Sequence, residues 1–375
     1  MIYDYLIVGA GLYGAVCARI LTDNGYRCLV VERREHIGGN CYTEMTEGIM
    51  VHKYGAHIFH TNSDEAWEFV NRFAKFMPYC HTPVANFNGE IYNLPFNMNT
   101  FAKLWNVSVP EEAKQMIAAQ ATVPKDGLKP ETVEELAMQT VGKDIYEKLV
   151  QGYTEKQWGK KCSELPAEIL GRIPLRFVYD NNYFDAKYQG IPERGYTDMI
   201  QQMLRGIDVV TGVDFLEHKC VFEGMSRRTI FTGAIDAYFN YSAGELEWRS
   251  LRFEHSVLDK QDYQGVSVMN FTDSETPHTR IIEHRHFDKN CTSNKTVITR
   301  EFPVRWECRS QEKYYPVDDK KNRETIQAYR QLAMADKRTV FCGRLGEYAY
   351  IDMDQTVFRA IHKANLLSEV DRVRY

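Results

Sequence analysis

The glycines and the acid near the start of the chain have the types and spacing to hold a phosphorylated ligand. Gly9-Ala10-Gly11-Leu12-Tyr13-Gly14 follows an apolar run, Tyr5 to Val8, and opens a helical stretch from Ala15 to Asn24 that Gly25 stops. Gly9 permits the tight turn, Gly11 leaves the backbone open to a pyrophosphate, and Gly14 lets helix and sheet approach. The helix N-terminus adds N–H groups and positive potential. A second apolar run, Cys28 to Val31, ends on Glu32, where a carboxylate accepts hydrogen bonds from an adenosine ribose. This is the order of a dinucleotide-binding βαβ unit. The plainer alternative is a glycine-rich turn in an ordinary α/β unit.

The next residues favour FAD over NAD. A second glycine pair, Gly38-Gly39, precedes Asn40 and lets the chain pass close to a long, extended cofactor. Late in the chain, Thr339 to Leu345 reads as a strand and a turn at Gly343, with Arg344 beside it. Asp352-Met353-Asp354 then opens a final helix with Asp at the N-cap, and such an end can stabilise negative charge on a flavin. Alternatively, this last strand and helix only complete the sheet.

Further along, Gly152-Tyr153-Thr154-Glu155-Lys156-Gln157-Trp158-Gly159 places aromatic and polar groups at a helix end. Arg172 follows on a loop, and then Tyr179 to Phe184, including Tyr183. Such rings can stack on a nucleobase, and Arg172, Arg280 and Arg344 can each clamp a phosphate. They serve equally well as core aromatics and solvated charges, because a chain with 23 tyrosines forms aromatic clusters readily. His52, His57 and His60 lack the helical metal-ligand spacing, and Gly55 interrupts them, so no metal is expected. A backbone or ring contact with the cofactor is the better functional use for them, with a purely structural role close behind. There is no GxSxG elbow and no cysteine with an evident base, which leaves the chemistry to the cofactor. Oxidase, dehydrogenase and non-redox flavoenzyme all remain open on these residues.

The elements that must position these groups form an α/β fold. A discontinuous Rossmann-like FAD-binding domain takes residues 1–80 with about 193–225 and 317–375. A helical insertion domain takes about 81–165, with Pro110 at a first turn, a capping box at Thr132 to Glu135 and a hairpin turning at Asn88-Gly89. A mobile loop, about 166–192, and a mainly antiparallel β-sheet domain, about 226–316, complete the chain. A strand pair is expected around His52 to His57, and a helix over 63–76 capped by Ser63. A net charge of −5 argues against general nucleic-acid binding, and no apolar run is long enough for membrane insertion. Nine scattered cysteines read as reduced thiols, and no signal peptide is expected, so the expected location is cytoplasmic.

The chain resembles the bacterial type of the UDP-galactopyranose mutase family over nearly its whole length. The resemblance rests on the glycine string at 9–14, His36-Ile37-Gly38-Gly39-Asn40, Lys53 to His60 and Asn93 to Asn99. It rests also on Gly152 to Trp158, Asp180 to Phe184 and Arg280 to His284. It implies an FAD enzyme, active when reduced, with NADH or NADPH as reductant. The implied reaction interconverts UDP-galactopyranose and UDP-galactofuranose through a covalent adduct between flavin N5 and the sugar. It further implies a homodimer that supplies galactofuranose to a surface polysaccharide.

On that resemblance Arg172 and Arg280 hold the departing diphosphate, and Tyr183 stacks on uracil. Tyr153, Thr154, Trp158 and Asn270 face the substrate, while Tyr314 and Tyr350 bond the diphosphate. His57 lies against the flavin. Gly9, Gly11, Leu12, Gly14, Glu32, Arg33, Gly39, Asn40, Arg344, Asp352 and Met353 contact the cofactor. The chain departs from the family at Ala349 and Ile351. Residues 217–230 and 307–313 match it weakly and are expected as surface loops. Two other readings are an amine-oxidase-like flavin oxidoreductase and a mutase acting on UDP-N-acetylgalactosamine. A nucleotide-sugar-binding protein without turnover is a third.

Overall fold

The computed structural model describes residues 2–123, 129–170, 173–307, 309 and 311–374. Arg172 therefore lies outside the described residues. Five strands form a parallel sheet in the order Asp208–Val210, Cys28–Val31, Tyr3–Val8, Ser226–Phe231, Thr339–Phe341. Cys28–Val31 and the stretch Tyr5 to Val8 are apolar on both faces, as a sheet covered on both sides requires. Tyr5, Ile7 and Val30 enter a core shared with the helices Leu12–Asp23, Gly195–Met203 and Met353–Arg374. Leu6, Val8, Leu29 and Val31 meet Phe215 and Tyr238 on the other face.

Ser226–Phe231 corrects one expectation. Residues 217–230 were expected as a surface loop, yet they supply the helix Lys219–Met225 and most of this inner strand. The polar start Ser-Arg-Arg-Thr disguises it, while Ile230 and Phe231 are buried. The strand joins the parallel sheet, not the antiparallel one to which its position in the chain assigned it.

Seven strands form the second sheet, in the order Tyr315–Pro316, Trp248–Leu258, Thr296–Arg305, Arg280–Glu283, Val268–Phe271, Val84–Phe87, Glu90–Asn93. Neighbours are antiparallel except Val268–Phe271 and Val84–Phe87, which run parallel. The hairpin 84–93 turns at Asn88-Gly89, both at positive φ (51° and 88°), the geometry of a two-residue hairpin loop. It extends this sheet and also roofs the helical layer, where Ala85 and Tyr92 pack on Phe101, Ile117, Ala137 and Leu149.

In that layer Pro110 begins the helix Pro110–Gln120, and Thr132 caps Val133–Thr140 by accepting from the Glu135 N–H at 3.2 Å. The Glu135 carboxylate reaches back past the N-cap to accept from the Glu131 N–H (2.8 Å), one residue beyond the Thr132 N–H that the expected box requires. Lys143–Ile145, a π turn over Tyr146–Gln151, and Gly152–Trp158 then run on as one helix, closed by Gly159 at φ 67°.

Two further segments differ from expectation. The hairpin near His52 pairs Thr43–Thr46 with Ile49–His52, turning at Glu47-Gly48, so residues 53–58 are loop. The helix capped by Ser63 stops at Asn71. Beyond it Phe76–Pro78 pairs with Tyr188–Pro192, which also pairs with Phe59–Thr61. No helix of the described residues is long and apolar enough to cross a membrane.

Candidate active site

The two glycine motifs meet at the C-terminal ends of the parallel strands. Gly11 takes the N-cap of Leu12–Asp23 and offers no side-chain cap, which leaves first-turn N–H groups for a phosphate. A Cβ on Gly39 would lie 2.9 Å from the Gly11 Cα, and one on Gly14 would lie 2.0 Å from the Gly9 carbonyl oxygen. The buried Glu32 carboxylate is aimed by the N–H groups of Ala10 (2.7 Å) and Arg34 (2.9 Å). This cradle, narrow, side-chain-free and rich in N–H donors, fits a dinucleotide. Arg33 and Arg34 both pair with Glu312, at 2.8 and 2.7 Å. Arg34 also donates to Asn40 Oδ1 (3.0 Å) and lies over the Tyr54 ring. Glu312 thus pulls part of segment 307–313, expected as a surface loop, onto the end of the second strand.

From Asn40 the site opens into a cavity of about 630 Å³. His57, Arg344, Asp352 and Met353 line it, with Gly55, where an added Cβ would lie 3.6 Å from Glu301 Oε2. The large sheet presents a row to the same cavity, fixed by register. Asn270 pairs with Arg280, and Arg280 with Glu301. Neighbours in one cross-strand row share a face, so these three side chains emerge together. The helical layer adds Leu149, Tyr153 and Thr154. A Cβ on Gly152 would lie 2.3 Å from the Thr272 carbonyl oxygen, so helix and strand end meet backbone to backbone there.

A clamp of asparagines joins the two strings that bring Phe96, Tyr183 and Phe184 to the cavity. Asn97 Nδ2 donates to the Asp180 carbonyl (2.7 Å) and to Asn181 Oδ1 (2.9 Å), and Asn99 Nδ2 also donates to Asn181 Oδ1 (2.9 Å). Asn97 also caps Met98–Trp105. Arg176 donates to the carbonyls of Asn182 and Tyr183. These bonds fasten the strings 93–99 and 180–184 together and leave the Tyr183 ring exposed at the mouth. There it meets His81 edge-on, and His60 stacks on Phe184 with centroids 3.7 Å apart.

The electrostatics suit an anion. Arg280 Nε lies 3.0 Å from Glu301 Oε1. Burial works against the Arg280 charge, but Glu301 and the hydroxyls of Tyr153, Tyr315 and Tyr183 outweigh it and hold the guanidinium firmly charged. Burial pushes the Glu301 carboxyl up, and Arg280 opposes that shift. Burial also raises Tyr153, Tyr315 and Tyr350 to about 12, so all three keep their protons as donors at neutral pH. Arg344 donates to the carbonyl oxygens of Ile351 (2.9 Å) and Tyr314 (3.5 Å) and lies beside the Tyr350 ring. At the departure noted from sequence, Ile351 is buried and its carbonyl holds Arg344. Burial drives His57 down to about 4 and His81 to about 3, so both are neutral.

Of the residues singled out from sequence, His57, Tyr153, Thr154, Tyr183, Asn270, Arg280, Tyr314, Arg344, Tyr350, Asp352, Met353 and Asn40 share this cavity. Gly9, Gly11, Leu12, Gly14, Glu32, Arg33 and Gly39 gather at the other end, by the parallel strands. Trp158 packs against the helical core and does not line the cavity. Sequence reasoning missed Glu301, Tyr315, His81 and Arg34. Glu301 is a lone acid on the inward register of a strand and Tyr315 adjoins Tyr314, so both carried a signal. His81 carried none.

A family model described as UDP-galactopyranose mutase matches residues 148–350, and one described as an NAD(P)-binding Rossmann-like domain matches 7–73. A Klebsiella pneumoniae protein described as a probable UDP-galactopyranose mutase is 38% identical over 368 residues, covering 96% of this chain and 94% of its own. The dTDP-fucopyranose mutase of Escherichia coli is also 38% identical, over 373 residues, covering 96% of this chain and 97% of its own. A crystal structure of reduced UDP-galactopyranose mutase shares the fold, with a TM-score of 0.73 at 14% identity, over 98% of this chain and 96% of that one. With the family model matching more than half its length and relatives aligned end to end, this chain is an enzyme, an isomerase, and belongs to the UDP-galactopyranose mutase family.

Proposed function

We propose that this enzyme interconverts UDP-galactopyranose and UDP-galactofuranose with FAD bound in its reduced state. One observation carries the reading. A single cavity joins the glycine-motif side, through Asn40, His57 and Arg344, to a guanidinium, Arg280, held charged in a ring of phenols. Reduced flavin, when bound, supplies an electron-rich nitrogen as the nucleophile toward the anomeric carbon.

The chain's own residues do the rest. Arg280 binds the diphosphate and stabilises the charge it gains as its bond to the sugar breaks. Glu301 keeps the guanidinium in one orientation. Tyr153, Tyr314, Tyr315 and Tyr350 donate to phosphate oxygens, and Arg172 supplies a second cation. Tyr183 stacks on the base at the mouth, Asn270 and Thr154 orient the sugar, and Trp158 supports the sugar pocket from behind. Neutral His57 packs against the cofactor without adding charge. Arg344, Asp352 and Met353 hold the flavin end, while Gly9, Gly11, Leu12, Gly14, Glu32, Arg33 and Gly39 hold the adenosine and pyrophosphate.

We also propose a cytoplasmic homodimer, reduced by NADH or NADPH, that supplies furanose sugar for a surface polysaccharide. The Escherichia coli relative, equally identical, favours a second substrate reading, a dTDP-linked 6-deoxy sugar. The test is anaerobic incubation with UDP-galactofuranose or dTDP-fucofuranose, with and without dithionite, followed by separation of the sugar nucleotides. Conversion of the UDP sugar only after reduction supports the first reading. Conversion of the dTDP sugar alone replaces it, and conversion without reductant removes the role given to reduced flavin.

A further inference from the structure

We propose that Lys156 is a positioning residue for Arg280, binding the turn that joins the strands of Asn270 and Arg280 to the helix that carries Tyr153 and Thr154. The inference rests on the sugar-nucleotide reading above. Lys156 Nζ donates to three main-chain carbonyls, those of Phe271 (2.8 Å), Thr276 (2.9 Å) and His278 (3.3 Å). An ammonium has three donors and no acceptor, so all three protons are spent on this one turn. Phe271 follows Asn270 directly, and His278 stands two residues before Arg280. The ammonium therefore sits behind the point where the cross-strand row of the cavity begins.

Other contacts bring helix and turn together without fixing this geometry. Gly152 allows the close approach to Thr272, and Thr272 Oγ1 donates to the Lys148 carbonyl at 2.7 Å. The nearby acid is already engaged: Asp273 accepts from the N–H (2.7 Å) and hydroxyl (3.0 Å) of Thr276. Lys156 thus gathers carbonyl dipoles instead of pairing with a carboxylate. Removing it leaves three converging carbonyls with no shared donor, and they repel one another.

Protonation adds a second handle. Burial lowers the Lys156 ammonium to about 8, against the opposing pull of Asp273. The other charged or titratable groups on the elements around it include Glu275 and His278 on the turn, Arg280, Arg300 and Glu301 on the adjoining strands with Glu254 beyond them, Lys148 on the π turn, and Tyr153 and Glu155 on its own helix. Glu155 is paired with Lys161 at 2.9 Å. Above pH 8 the amine keeps two donors for three carbonyls and turns a lone pair toward them.

The experiment uses FAD-loaded wild type, Lys156→Met and Lys156→Arg, with UDP as the probe. UDP affinity is followed by flavin fluorescence from neutral pH to well above 8, beside thermal melts and hydrogen exchange of the peptides spanning 271–280. Wild-type affinity should fall about tenfold across the alkaline limb, as expected for losing one charge-assisted contact. Lys156→Met should bind weakly at every pH, with faster exchange in 271–280. Lys156→Arg should restore binding and abolish the alkaline limb. Unchanged UDP affinity and unchanged exchange in Lys156→Met would overturn the proposal, as would an alkaline limb that persists in Lys156→Arg. Faster exchange in Lys156→Met, with no UDP bound by wild type, would sink the sugar-nucleotide reading and leave the clamp standing.

Discussion

The cradle at the ends of the parallel strands and the wall formed by the large sheet serve one cavity but are built in different ways. Between Gly9 and Asn40 the useful groups are mostly main-chain N–H donors and the absence of side chains, held by a local βαβ unit. Across the cavity the useful groups are side chains, Asn270, Arg280 and Glu301, aligned by the pairing of three strands. The cradle cannot be altered without altering the fold beneath it. The wall can lose a functional group while its strands stay paired. Cofactor retention should therefore report on the first region and turnover on the second.

The strongest attempt to separate them is Arg280→Ala. Turnover should fall by roughly a thousandfold, the scale for removing a preorganised group that stabilises developing charge. FAD should stay bound, as its visible spectrum would show. The substitution also strands the buried Glu301, so the melting temperature should drop as well. Adding Glu301→Gln should recover stability but not turnover, and near-normal turnover in either variant would remove the clamp role.

Gly14→Ala attacks the cradle instead. Its Cβ would meet the Gly9 carbonyl oxygen at 2.0 Å, so the helix must move off the strand. A loss of about 3 kcal/mol is expected, with purified protein depleted of FAD. A variant that melts normally and retains FAD would show that the close approach is dispensable.

Acid should weaken the cavity side first. His57 and His81 line the cavity and His52 lies beside His57; His52 and His81 are buried, His57 is partly buried, and all three are neutral, with His52 and His81 at about 3 and His57 at about 4, below the usual 6.5. Between those values the unfolded chain binds more protons than the folded one, so stability rises with pH through that window. It should be complete above pH 6.5 and fall by at least about 2 kcal/mol toward pH 4, which urea melts across that range would measure. A flat profile would mean these rings reach water or lack their unfolded-state values.

The mildest test is Asn97→Ala. It removes a helix cap worth about 1 kcal/mol and the bonds to Asp180 and Asn181. The KM for the sugar nucleotide should rise several-fold with kcat and the flavin spectrum nearly unchanged. An unaltered KM would mean that Tyr183 holds its place without the clamp.

The same contrast explains what could be read from sequence. Gly9, Gly11, Gly14 and Glu32 act through local backbone geometry, which spacing alone encodes. Arg280 and Tyr183 were recognisable as residue types, but their meeting depends on strand register and on the asparagine clamp, which no local pattern reveals. His81 lies at the end of an extended segment with no periodicity, so nothing marked it. Ser226–Phe231 was hidden because its first half is polar while its second half is core. The hairpin 84–93 was visible as a hairpin from Asn88-Gly89, but its membership of the large sheet comes from a parallel pairing with Val268–Phe271, far along the chain.

The π turn at Tyr146–Gln151 has a consequence for how this site can change over evolutionary time. Each helical residue advances the chain by about 100°, and a π turn houses one residue more than the regular winding needs. Deleting a single residue there would restore the regular winding and leave Tyr153 and Thr154 facing the cavity, whereas the same deletion from a regular turn beside it would swing them by about 100°. The chain can therefore lose one residue at this turn without a rebuilt wall, whereas one residue lost from the regular winding that follows must be matched at once by new partners across the cavity.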